Sequence, residues 1–104
     1  MTLDQAQAIY NHHATRLELP SEWRLAWIKR IRNYSMRGSC NHTKKLIRLQ
    51  PCYVERASEE MLTNTILHEL AHAIVGVGHG HDHTWKRKAI EIGCNGKRLG
   101  DETY

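Results

Sequence analysis

Five consecutive residues, His68-Glu69-Leu70-Ala71-His72, carry the densest chemistry in the sequence. Residues four apart on a helix project from one face, so two imidazoles at this spacing can bind a single ion. A glutamate beside the first histidine can reach a water in the open coordination position and act as general base in peptide hydrolysis. The pattern points to a zinc site with His68 and His72 as metal ligands and Glu69 as the catalytic base. The bland alternative is a helix whose two histidines only decorate its surface. The setting argues against it: Thr63, Asn64, Ile66, Leu67, Ala71 and Ala73 surround the motif and would pack one face while leaving the histidines another.

A catalytic zinc needs a third protein ligand, and His79, His81, His83 and Glu91 are the candidates. The metzincin pattern would place glycine where Val75 stands and histidine where Gly78 stands, so that class is off register. The three histidines alternate along the chain, so at most one or two of them face the same ion. Glu91 has a ready role as a solvated helix charge.

The elements that must position these residues are legible in outline. Leu3, Ala6, Ile9, Tyr10, Ala14 and Leu17 have helical spacing, with Thr2 or Asp4 as a cap. After Pro20, the run through Trp23, Leu25, Trp27 and Ile31 partly alternates and predicts a first strand. Met36 to Asn41 reads as a short strand or turn, and Leu46, Ile47 and Leu49 as a strand ending at Pro51. A small antiparallel three-stranded sheet is the economical reading. Ser58, followed by Glu59 and Glu60, opens a capped helix that carries the motif as far as Gly76. A loop rich in glycine and histidine leads to a closing helix over His83 to Ile92, capped by Asp82 and stopped by Gly93. The expected class is α+β.

With 104 residues the chain has room for one domain and a single core. No stretch approaches the ~20 apolar residues of a membrane helix, and the first residues lack the basic start and apolar run of a secretory signal. Cys40, Cys52 and Cys94 are odd in number and form no CxxC pair, which argues against a disulfide scaffold or a zinc ribbon. They read as small buried hydrophobes or bystanders, and a reducing, cytoplasmic compartment fits them best.

The run from Tyr34 to Arg98 resembles the SprT-like metallopeptidase family, to which the DNA-protein crosslink protease Spartan belongs. That family couples HExxH, after a variable loop, to a histidine followed at the fourth place by an aromatic residue opening the final helix; His81-Asp82-His83-Thr84-Trp85 matches this spacing. Arg37-Gly38-Ser39-Cys40 and Leu46-Ile47-Arg48-Leu49-Gln50-Pro51 resemble its two short strands, and Ile92-Gly93 and Arg98 its helix end. Where the family has Gly-Pro after its third histidine, this sequence has Asp82-His83. The resemblance implies a minimal zincin-like domain over residues 1–104, with His81 as third metal ligand and Zn2+ as cofactor. It also implies proteins bound or crosslinked to DNA as substrates, and a strand over Lys45 to Leu49 that pairs with extended substrate. The small size suggests a phage or prophage encoded version, monomeric and without a zinc ribbon.

The charge distribution adds to this. The formal charge is +4, and from Trp23 to Val54 there are eight basic residues (Arg24, Lys29, Arg30, Arg32, Arg37, Lys44, Lys45, Arg48) and no acid. Such a block over 24–48 is either a solvated face or a surface for single-stranded or damaged DNA. Trp23, Trp27, Tyr34 and Tyr53 interleave with it as possible stacking groups, although in so small a domain Trp23 and Trp27 read as core-filling. Trp85 reads as packing against the zinc helix, and Tyr34 or Tyr53 as candidates to stabilise an oxyanion. The alternative to a peptidase is a metal-stabilised DNA-binding or regulatory module.

Overall fold

The computed structural model describes residues 1–29 and 37–97. Four helices and three strands follow in the order α1 (Leu3–Arg16), β1 (Arg24–Trp27), β2 (Gly38–Asn41), β3 (Leu46–Leu49), α2 (Pro51–Arg56), α3 (Glu59–Val75) and α4 (His83–Ile92). Arg30, Arg32, Tyr34, Met36 and Arg98 lie outside the described residues.

Local chemistry sets the helix ends. Thr2 and Gln5 form a reciprocal capping box on α1, with Gln5 N–H donating to Thr2 Oγ1 at 3.1 Å and Thr2 N–H donating to Gln5 Oε1 at 2.8 Å. Ser58 caps α3 by accepting from Met61 N–H at 3.2 Å, and Gly76 ends it at φ 89°. Asp82 caps α4, and Gly93 stops it in the left-handed conformation at φ 109°. Each of these ends falls where the sequence places it. α2 does not: Pro51, read as the end of a strand, occupies the first turn of a helix, where its missing N–H is no loss.

The sheet has the order β1-β3-β2 and is mixed, a correction to the wholly antiparallel expectation. β2 and β3 form an antiparallel hairpin, whose turn is closed by Lys44 N–H donating to Asn41 Oδ1 at 2.9 Å and by Lys45 at φ 55°. β1 pairs with the far edge of β3 in parallel, Leu25 beside Ile47 and Trp27 beside Leu49. Ile47 and Leu49 are fully buried while Leu46 and Arg48 are half-buried, so one face packs on the helices and the other looks outward.

α3 is the spine. From Thr65 to Ala71 every residue is buried, the mark of a helix enclosed on all sides. Leu62, Ile66 and Leu70 meet a core that includes Ile47, Leu49, Val54, Trp85 and Ala89, while α1 adds Ala6 and Tyr10. Trp23 and Trp27 are half-buried and pack against this core, in line with a filling role. Among the described residues, no helix is long and apolar enough to cross a membrane.

Candidate metal centre

The burial of α3 carries His68 and Glu69 inside with it. His68 is 2% exposed and Glu69 4%, whereas His72, one turn on, is half-buried and faces the rim. After Gly76 the chain turns back, and His81 approaches from the loop ahead of α4. The ligand atoms of His68, His72 and His81 lie within 4.8 Å of one another. The Nε2 atoms of His68 and His81 are 3.0 Å apart. Nitrogens around a tetrahedral zinc stand about 3.3 Å apart, so this spacing suits one shared ion. Because His81 is exposed, the centre opens to solvent on one side.

Burial and mutual repulsion keep His68 and His72 in the ligand form. Burial, then the neighbouring His72 and His81, lower the His68 pKa to about 3. Burial, then His81 and His42, lower that of His72 to about 4. Metal ligation requires the neutral imidazole, and both rings hold it far into acid. A hydrogen bond between the His68 ring and the Lys97 backbone opposes the His68 shift and helps to fix the ring. The residues present thus fit a divalent metal held by three imidazoles.

Trp85 is the floor of the centre. Its ring centroid lies 4.6 Å from that of His68, 5.2 Å from His72 in a stacked arrangement and 4.7 Å from His81. Its indole N–H donates to the His68 carbonyl at 3.2 Å. The packing expected of Trp85 is present and extends to all three rings.

Glu69 lies under β2. A Cβ added at Gly38 would stand 3.3 Å from Glu69 Cγ, so the glycine leaves the space the glutamate fills. Burial raises the Glu69 pKa to about 8, and burial followed by the charge of Glu69 pushes the Cys40 thiol up to about 12. A carboxyl group titrating near neutrality suits proton exchange with a substrate.

The other candidates for the third position do not join this cluster. His79 Nδ1 pairs with Asp82 Oδ2 at 2.8 Å, Glu91 pairs with Lys88 at 2.8 Å along α4, and His83 is exposed on that helix. Tyr53 is also spent: buried in α2, its hydroxyl donates to the Met61 carbonyl at 3.2 Å and lies 2.7 Å from Thr65 Oγ1. It supports the α2 to α3 packing, a correction to the oxyanion and stacking roles considered for it. Cys94 is buried as expected, Cys40 half-buried and Cys52 exposed. Of the basic block, Lys45 pairs with Glu22 and the Arg37 guanidinium lies 5.6 Å from the centroid of the Tyr53 ring. Arg24, Lys29 and Lys44 are exposed. A trough of about 950 Å³ on the outer sheet face includes Lys29, Ser39, Asn41, Leu46 and Arg48 in its lining.

Two residues of the site were not legible as such. Gly38 reads from sequence as part of a short strand or turn, and only the pairing of β2 over α3 shows it to be the window for Glu69. Asp82 reads as a cap, which it is, but its second oxygen also holds His79.

Comparison with known proteins gives the family and similar folds. The SprT-like family model matches residues 3–104. In fold the chain is similar to jannalysin of Methanocaldococcus jannaschii, solved as a metallopeptidase zymogen, with TM-score 0.66 and 24% identity over 83% of this chain and 79% of that one. It is similar too to abylysin of Pyrococcus abyssi, also solved as a metallopeptidase zymogen, with TM-score 0.64 and 21% identity over 92% and 86% of the two chains. No curated protein matches the sequence.

Proposed function

The chain belongs to the SprT-like family, and on that premise we propose that it is a zinc-dependent metalloendopeptidase with His68, His72 and His81 as metal ligands and Glu69 as general base. The observation that carries this reading is the convergence of three imidazoles beside a buried glutamate. Zinc bound there would supply Lewis acidity, polarising the scissile carbonyl and acidifying the attacking water. Glu69 would take the proton from that water and return it to the leaving amine, the cation beside it favouring the carboxylate that the first step needs. Trp85 and the α3 backbone hold the rings so that little reorganisation is needed as the reaction proceeds.

Extended substrate pairs with β2. The sequence expectation gave this part to the strand over Lys45 to Leu49, but β3 is central and has both edges taken. Gln50 N–H donates to the Arg37 carbonyl at 3.0 Å, so by antiparallel alternation Arg37, Ser39 and Asn41 turn their main-chain groups toward β3. Gly38 and Cys40 turn theirs to the other edge, above Glu69; no described strand covers that edge. A peptide added there is recognised by its backbone and tolerates varied side chains.

The finer reading is a protein substrate held on single-stranded or damaged DNA. The family resemblance supports it, as do the exposed cations Arg24, Lys29 and Lys44 with Arg48 on the outer sheet face. Cleavage of a DNA-binding protein with and without single-stranded DNA, across a salt series, tests it. Stimulation that fades steeply with salt is expected; equal cleavage throughout would leave a peptidase indifferent to nucleic acid. DNA binding without any cleavage would favour a metal-stabilised binding module.

A further inference from the structure

Of the three clustered histidines, His81 alone lies outside α3, on the segment that joins α3 to α4. Residues 76–82 include Gly76, Gly78 and Gly80, the first two at φ 89° and 91°, and none of the seven is buried. Glycine loses the most conformational freedom on ordering, and this segment has no fully buried apolar group to offset that loss. A ligand carried on such a segment needs another restraint if it is to face α3 before the metal arrives.

Asp82 supplies that restraint with both carboxylate oxygens. Oδ1 accepts the Trp85 N–H at 2.9 Å, which fixes the aspartate to the first turn of α4. Oδ2 meets His79 Nδ1 at 2.8 Å. Residues 79 and 82 bracket Gly80 and His81, so the pair closes a short cross-brace over the backbone that bears the ligand. Both ends reach the centre. The His79 backbone accepts a hydrogen bond from the His72 ring, and Trp85, which Asp82 caps, packs on all three imidazoles.

We propose that His79 and Asp82 are positioning residues that preset His81 for metal capture, an inference that rests on the metal-centre reading above. The His79 imidazole then contributes to the site without coordinating: it lies outside the cluster formed by His68, His72 and His81, and it acts on the metal only through the loop. Outer partners of this kind set ligand orientation and with it metal affinity. The side chains are 33% and 46% exposed, which places the effect at the modest end.

The test compares zinc affinity, by competition with a chromophoric chelator, for the full chain and for His79→Ala, Asp82→Ser, the double variant and His83→Ala. Serine keeps an oxygen for the helix cap but cannot also hold His79. His79→Ala and Asp82→Ser should each weaken zinc binding about threefold to tenfold. The double variant should lose no more than the weaker-binding single, and His83→Ala should match the parent. Amide hydrogen exchange on the metal-free chains gives a readout independent of zinc: residues 78–82 should exchange faster in both single variants, with α3 unchanged. The proposal is overturned if His79→Ala binds zinc as His83→Ala does, if the two losses add, or if exchange in the loop is unaltered. A parent chain that takes up no zinc would contradict the proposed function, and the exchange comparison would still decide the brace.

Discussion

The indole N–H of Trp85 donates to the carbonyl of His68 at 3.2 Å, tying the closing helix to the helix that bears two of the three histidines. The same ring lies against His72 and His81, so one buried side chain serves both the core and the metal centre. Trp85→Ala should cost about 3–5 kcal/mol of stability, the usual penalty for emptying a large aromatic site. Trp85→Phe keeps part of the packing and should lose about 1 kcal/mol from the hydrogen bond, beyond the cost of its smaller volume. Urea denaturation of the metal-free chains measures both; equal losses would mean that ring packing contributes little.

Stability of the metal-free chain should pass through a maximum near neutrality. His68 and His72 titrate at about 3 and about 4 in the fold, against 6.5 ordinarily, so below 6.5 the unfolded chain binds more protons and stability falls with falling pH. Glu69 titrates at about 8 instead of 4.5, so between those values the folded chain holds the extra proton and stability falls as pH rises. From 4.5 to 6.5 two histidines outweigh one glutamate; from 6.5 to 8 the glutamate acts alone. Thermal melts in chelator should therefore peak near pH 6.5, and Glu69→Gln should flatten the upper limb. An upper limb that survives this substitution would contradict the assignment.

Gly38→Ala should separate catalysis from metal binding. The new Cβ would stand 3.1 Å from the Arg48 carbonyl oxygen, 3.3 Å from Glu69 Cγ and 3.4 Å from Leu49 Cδ2. The carbonyl is held by the sheet, so the glutamate must yield, at a cost of about 1–3 kcal/mol for overpacking. Zinc content should be retained while kcat falls at least about tenfold, since a small misplacement of a general base is costly. A variant with normal kcat would show that Glu69 tolerates the shift.

Tyr53→Phe should do the reverse. The hydroxyl it removes binds Met61 and Thr65 between α2 and α3, and Thr65 Oγ1 keeps its own bond to the Met61 carbonyl at 3.1 Å. A loss of about 1 kcal/mol in stability is expected, with kcat unchanged. A fall in kcat at equal zinc content would restore Tyr53 as a candidate for oxyanion stabilisation.

Local signals and long-range ones differ in what they reveal here. Ser58, Gly76, Asp82 and Gly93 announce the ends of α3 and α4 because caps are satisfied by neighbours within a turn. The motif at His68 to His72 declares its chemistry for the same reason, as helical spacing fixes who faces whom. The parallel pairing of β1 with β3 joins Arg24 to Leu46 and leaves no periodic trace in either segment. Pro51 is locally ambiguous, since it ends strands and begins helices alike. The choice of His81 over His79 and His83 depends on how a glycine-rich loop folds back, which backbone propensity leaves open. Glu69 beneath Gly38 is likewise a tertiary fact, visible only once β2 crosses α3.

The most direct measurement is cleavage of a protein substrate by the zinc-loaded chain beside the Glu69→Gln variant, with zinc content determined for both. The expected result is equal zinc in the two proteins and a loss of activity of about 10²-fold or more in the variant, as removal of a general base implies. Equal cleavage by both chains, or none by either with zinc bound and the fold intact, would contradict the assignment of a metallopeptidase centre built on His68, Glu69, His72 and His81.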